Sequence, residues 1–361
     1  MKKVYKIILL AVAVLVLIFT YNNSFLYREN VVKVISQQVV SETYVLGESG
    51  EKEYYYTQEI KGKLLNGTYK GEVVTLKNAY TSSGVRDEKY VKGDRLIVSI
   101  KEDKNGLTGK IKYLKTDFYV VFLIIMLLLV LIFTAKKEGV ISIITLVINI
   151  ALFYIALNLY YNGYNIFLLT IALIILFSVI TMLFINGFNK GALATISSVL
   201  VTMVVLFIIY KVSITIGKEP EYIMMEYIVS SSELEYLFLF QVLMGGLGAV
   251  MDVAVSICAA VKELCEKDPK ISILNLKKSV KEIGNDIMGT MINVLFFTFL
   301  SGSIPMIILE LKNYYKVLSI IKIYLQFEIT CFLTGAIGVV LAIPISGMIC
   351  IRLFGNNNRM E

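Results

Sequence analysis

The chain has 361 residues, of which 57% are hydrophobic and 17% charged, and a formal net charge of +7. Soluble domains carry about 45–50% apolar and about 25% charged residues, so this composition excludes an ordinary soluble domain and indicates a multi-pass membrane protein. Histidine is absent, which removes His-metal ligation, His-based acid/base chemistry and Ser-His triads together.

A transmembrane helix needs about 20 predominantly apolar residues. Such runs cover 5–22, 118–135, 139–160, 166–187, 191–213, 236–261, 287–309 and 328–351, which gives an α-helical polytopic membrane protein of eight spans. The first run follows "MKK" and ends in "LIFTYNNSF", without a small-residue cleavage site, so it reads as an uncleaved anchor.

Residues 23–117 have a different texture. "VVKVISQQVV", "EKEYYYTQEI", "GEVVTLKNAY", "DRLIVSIK" and "GLTGKIKYL" are short, β-branched and tyrosine-rich, with turn signals at Asn66-Gly67 and Asn105-Gly106. They predict a small extracytoplasmic β-domain, a barrel with an OB-like form among its options. Tyr54, Tyr55 and Tyr56 admit two readings, a stacking platform for bases or glycans, or core and cross-strand pairs. The second is adopted, and no nucleic-acid partner is expected. The domain plan is therefore an anchor at 1–22, the β-domain at 23–117, a seven-helix core at 118–352 and a tail at 353–361.

Basic residues flank one set of loop ends, among them Lys136, Lys137, Lys190, Lys262, Lys277 and Arg352. The opposite set carries few, such as Lys211, Lys218, Lys312 and Lys316. The positive-inside rule then puts both termini in the cytoplasm and residues 23–117 outside, in a bacterial cell membrane. An acidic loop is expected at 217–235 and an amphipathic helix on the outer leaflet at 310–327. Cys258, Cys265, Cys331 and Cys350 show no CxxC spacing, so neither a disulfide frame nor a zinc site is expected.

The chemistry concentrates in three spans. In "FLFQVLMGGLGAVMDVAVSICAAV", Gly245, Gly248, Asp252, Ser256 and Ala259 share one helical face, with Gly246 beside it. A carboxylate in hydrocarbon costs roughly 2.5–3.5 kcal/mol, which makes Asp252 a functional candidate. The seventh span opens with "EIGNDIMGTMINVLFF", where Asp286, Gly289, Thr290 and Asn293 lie to one side. The last, "EITCFLTGAIGVVLAIPISGMIC", aligns Gly335, Gly338, Ala342 and Ser346, and Pro344 frees a backbone carbonyl. Small and polar faces on three helices build either an ion or solute site or a close-packed bundle. An Asp252–Asn293 hydrogen bond would serve the second purpose.

The blocks "GGLGAVMDVAVSI", "IGNDIMGTMIN" and "GAIGVVLAIPISG" resemble the YibE/F family of bacterial multi-pass membrane proteins, over about residues 118–352. The β-rich segment resembles the anchored outer domain of longer members. The chain departs from the pattern at Asn285, where a basic residue is usual, and at Ile292 and Val294, where threonines are usual. The resemblance implies the span plan, directs attention to Asp252 and Asp286, and implies pairing with a shorter member as one form of assembly.

The expected function is that of a permease or ion-coupled transporter rather than an enzyme. Asp252, Asn293, Thr290 and Ser256 would form the site and Asp286 its cytoplasmic mouth. Its partners would be the bilayer, a small solute or ion, and a second copy or shorter relative; no cofactor or metal is expected. Two alternatives stand beside it, an envelope scaffold acting through the β-domain and an intramembrane enzyme using Asp252 and Asp286 as a carboxylate pair.

Overall fold

The computed structural model describes residues 3–46, 50, 52–84, 87–103, 106–217 and 231–355. The chain divides into two compact units, Met1–Gly139 and Val140–Glu361.

The first unit begins with α1 (Lys3–Asn22) and a short 3-10 turn, followed by β1 (Asn30–Leu46), β2 (Lys52–Leu64), β3 (Val73–Thr81), β4 (Arg95–Asp103) and β5 (Gly106–Leu114). The strands close into a barrel in the order β1-β2-β3-β5-β4, with β3 and β5 parallel and the other pairs antiparallel. This is the small barrel read from the sequence. Alternation points Val32, Val34, Ile60, Leu64, Val74, Leu76, Leu96 and Val98 into one core. Gly62 is required there, because a Cβ on it would meet Val32 Cγ1 at 2.1 Å. The Asn66-Gly67 turn is present, with Gly67 at φ +80°. Asn66 Oδ1 accepts from the Val31 amide at 2.6 Å and its Nδ2 donates to the Tyr27 and Glu29 carbonyls. Asn105, of the second expected turn, lies outside the described residues.

Strand β1 outgrows the barrel. It pairs with β4 only from Asn30 to Lys33 but with β2 as far as Leu46. Residues 35–46 are exposed throughout, including Ile35, Val39, Val40, Val45 and Leu46. The tyrosines form a ladder across this hairpin and β3, with ring centroids 6.0 Å apart for Tyr44–Tyr54, 6.4 Å for Tyr54–Tyr56 and 5.0 Å for Tyr56–Tyr80. At the barrel's base, Asp117 receives hydrogen bonds from Asn23 Nδ2 and the Tyr27 hydroxyl, both at 2.9 Å, and pairs with Lys115 at 2.6 Å. The Arg95 guanidinium lies over the Tyr21 ring and donates to the Tyr21 carbonyl.

Helix α2 (Asp117–Tyr161) holds two of the eight expected spans in one 45-residue element, broken at Lys136 (φ 50°, ψ −115°). Seven helices among the described residues are therefore long and apolar enough to cross a membrane. At 1.5 Å per residue the 45 residues of α2 supply roughly 67 Å of helix, about twice a bilayer's hydrocarbon thickness, and the break at Lys136 divides them into two lengths of span size.

The second unit continues with α3 (Ile166–Asn186), α4 (Lys190–Gly217), α5 (Ser231–Lys267), α6 (Ile273–Lys312), α7 (Val317–Tyr324) and α8 (Gln326–Phe354). The acidic segment expected at 217–235 falls mostly outside the described residues. The expected single helix at 310–327 is divided: α6 runs to Lys312, Tyr314 turns the chain at φ 62°, and the eight-residue α7 follows. Helix α8 packs against α4, α5 and α6. Leu206 and Tyr210 of α4, Phe238, Val250 and Ile257 of α5, Leu276 and Leu295 of α6 and Val339 and Ala342 of α8 share one core.

One expectation is corrected here. Cys258 and Cys350 form a disulfide, with their Cα atoms 5.6 Å apart. Their separation of 92 residues leaves no local spacing signal; only the packing of α5 on α8 brings the thiols together. Cys265 and Cys331 take no part in this disulfide.

Candidate functional site

Helix α5 has two unlike faces. Toward the core it buries Phe238, Leu239, Val242, Val250, Val253, Ala254, Ile257 and Val261, each fully covered. Away from the core, Gly248, Asp252, Ser256 and Ala259 form an exposed stripe. Nothing lies within 4 Å of a Cβ placed on Gly248. The Ser256 hydroxyl donates to the Asp252 backbone carbonyl at 2.8 Å. The Asp252 carboxylate itself has no ion-pair or hydrogen-bond partner among the described residues.

Helix α6 repeats the arrangement. Val280, Gly284 and Leu295 are buried, whereas Asp286, Gly289, Thr290 and Asn293 are exposed on the other side. Thr290 Oγ1 donates to the Ile287 carbonyl and Asn293 Nδ2 to the Gly289 carbonyl, both at 2.8 Å. The amide hydrogen bond of Asn293 therefore closes on its own helix, and Asp252 accepts none from it. A Cβ on Gly289 would meet nothing within 4 Å.

The small face of α8 is placed differently. Gly335, Gly338, Ala342 and Ser346 are buried within the bundle. Gly335 faces Gly246 of α5, with a Cβ on Gly246 lying 3.6 Å from Gly335 Cα. A Cβ on Gly338 would meet Leu206 Cδ1 at 2.2 Å and Val250 Cγ2 at 3.1 Å. Gly284 and Gly347 seal the α6–α8 contact in the same way, against Ile343 and Val280. Gly245 is covered by the Phe299 ring of α6, 2.6 Å from its would-be Cβ. Pro344 lies exposed on the outer side of α8.

The twelve sequence candidates thus divide into two groups. Asp252, Ser256, Gly248, Asp286, Gly289, Thr290 and Asn293 stand on outward faces of α5 and α6; Gly245, Gly246, Gly335 and Gly338 bring helices together; Pro344 belongs to neither. The structure does not bring α8's small face to the Asp252 stripe. No group of three or more His, Cys, Asp or Glu among the described residues stands close enough to hold a metal ion.

A hydroxyl stripe on α4 was not foreseen. Thr195, Ser198 and Thr202 are almost fully buried. They donate to the carbonyls of Gly191, Ala194 and Ser198 at 2.7–2.9 Å. Their three- and four-residue spacing in "ATISSVLVT" was the available signal. With every hydroxyl satisfied by its own helix, the stripe allows close packing and offers no free donor.

An outward carboxylate on a membrane helix demands water or protein beside it. Each of the α5 and α6 polar stripes can face a hydrated path or another chain. Two family models match the sequence, YibE/F-like protein over residues 123–356 and YibE/F family N-terminal domain over residues 25–114. No curated protein and no solved structure matches the chain.

Proposed function

The chain belongs to the YibE/F family, and from that premise we propose that it is a permease or ion-coupled transporter of the bacterial cell membrane, with residues 23–117 outside. The observation that carries this reading is the unpartnered Asp252 carboxylate, set mid-helix between Gly248, which leaves backbone open, and Ser256. Asp252 takes up and releases a proton or cation. Thr290, Asn293 and the Gly248 and Gly289 backbone line the path, and Asp286 stands at its mouth. A second copy, or a shorter relative, closes the path by covering the outward faces of α5 and α6, so that the carboxylate never meets lipid.

The test is solute and proton flux in proteoliposomes. Asp252→Asn should lower flux at least tenfold and flatten its pH dependence, with Ser256→Ala much milder. Unchanged flux in Asp252→Asn ends the proposal.

A second reading has its own observation, the exposed β1 edge at 35–46 with its apolar side chains. Such an edge accepts a strand from a partner, and the protein would then act as an envelope scaffold. Replacing Val39 and Val40 by lysine would abolish partner capture while leaving flux intact.

A further inference from the structure

A cavity of about 890 Å³ in the second unit lies apart from the Asp252 stripe. It is a groove along the outer side of α8, bounded by α6 on one side and by Val201 of α4 on the other. Its lining differs between the two helices. On α8, Arg352, Met348 and Pro344 follow one another at four-residue intervals on one face, charged near the helix end and apolar further in. On α6, Lys277, Lys281 and Asn285 also follow one another at four-residue intervals, and this side is polar throughout. Val280 against Gly347 and Gly284 against Ile343 hold the two helices in that register.

No acidic residue lines the groove, and Lys277, Lys281 and Arg352 have no ion-pair partner among the described residues. Lysines at i, i+4 on one helix repel each other unless an anion sits between them. Two ammonium groups on the α6 side and a guanidinium near the end of α8, with Ile343, Pro344 and Met348 along the α8 side, match an amphiphile with a phosphate head and a hydrocarbon tail. The volume falls within the range of small-molecule sites.

We infer that this groove binds one anionic phospholipid, its phosphate held by Lys277, Lys281 and Arg352 and an acyl chain lying along Ile343, Pro344 and Met348. The lipid comes from the leaflet beside the α5–α6 connection. The inference is independent of the transport reading, because none of these residues belongs to the proposed path.

The experiment is native mass spectrometry of the full chain in detergent with equimolar phosphatidylglycerol and phosphatidylcholine. Wild type should retain the anionic lipid at least about fivefold over the zwitterionic one. The variant Lys277→Gln/Lys281→Gln/Arg352→Gln should lose that preference, and the control Lys267→Gln/Lys270→Gln, outside the groove, should keep it. Inorganic phosphate at millimolar concentration should neither displace the lipid nor raise thermal stability. Equal retention of both lipids by wild type overturns the proposal, as does a triple variant that keeps the preference. Displacement by phosphate would overturn it in favour of a free-anion site. If the triple variant fails to fold, Lys281→Gln alone must at least halve the preference, and an unchanged value overturns the proposal.

Discussion

The inner and outer faces of α5 both carry glycine, yet the two glycines live under opposite constraints. Inside, Gly246 meets Gly335, and the bundle closes around fully buried Val250 and Ile257. Outside, among the described residues, nothing lies within 4 Å of a Cβ on Gly248, and the Asp252 carboxylate has no hydrogen-bond or ion-pair partner. Glycine is demanded by space on one side and left over on the other. In a membrane this difference separates packing from function, because lipid is as apolar as leucine and the hydrophobic effect does not sort the faces.

The contrast is testable from its strongest consequence downward. Gly338→Leu drives a side chain into Leu206 and Val250 and should cost about 3 kcal/mol or more, or prevent folding. Gly248→Leu enters open space and should leave thermal stability within about 1 kcal/mol of wild type. A denaturation series in detergent reads both, and equal losses would erase the distinction between the faces.

Next comes the Cys258–Cys350 bond, which ties the inner face of α5 to α8. Peptide mapping without reductant should recover the cross-linked pair, and Cys258→Ser should cost roughly 2–4 kcal/mol. Recovery of both thiols free would remove this tie. A smaller effect is expected at Asp252: with no partner to lose, Asp252→Asn should change stability by less than about 1 kcal/mol while lowering flux. Strong destabilisation would instead identify Asp252 as a packing group. The smallest effect belongs to Ser346, whose buried hydroxyl oxygen has no hydrogen-bond partner among the described residues. Ser346→Ala should be neutral or stabilising by up to about 1 kcal/mol, as judged by melting temperature.

The membrane helices and the barrel were legible in the sequence because each carries a local signal. Apolar runs of bilayer length marked the spans, and β-branched alternation with Asn66-Gly67 marked the barrel. The joining of two spans through Lys136 was harder to see, since the lysines of "AKKEG" read as a loop. Within the site, Asp252 and Asp286 stood out as charges in apolar runs, but the direction they face did not. Gly245, Gly246 and Gly248 lie within four residues and occupy three environments: beneath Phe299, against Gly335 and open. About 100° of rotation per residue decides among them, and an all-apolar helix gives no polar face to set the phase. Contacts between distant segments, such as Cys258 with Cys350 or Gly284 with Ile343, depend on helix pairing that no local pattern encodes.

The Asp117 knot has a mechanical consequence. The chain enters the barrel from α1 and leaves it into α2 at one place, where Asn23, Tyr27 and Lys115 all converge on a single carboxylate. Beyond Lys33, its last residue paired with β4, the β1 arm runs on for 13 residues to Leu46, roughly 43 Å at about 3.3 Å per strand residue. Such an arm is a lever with a fixed fulcrum. A pull on the arm would therefore act on the shared junction where α1 ends and α2 begins, and not on one stem alone.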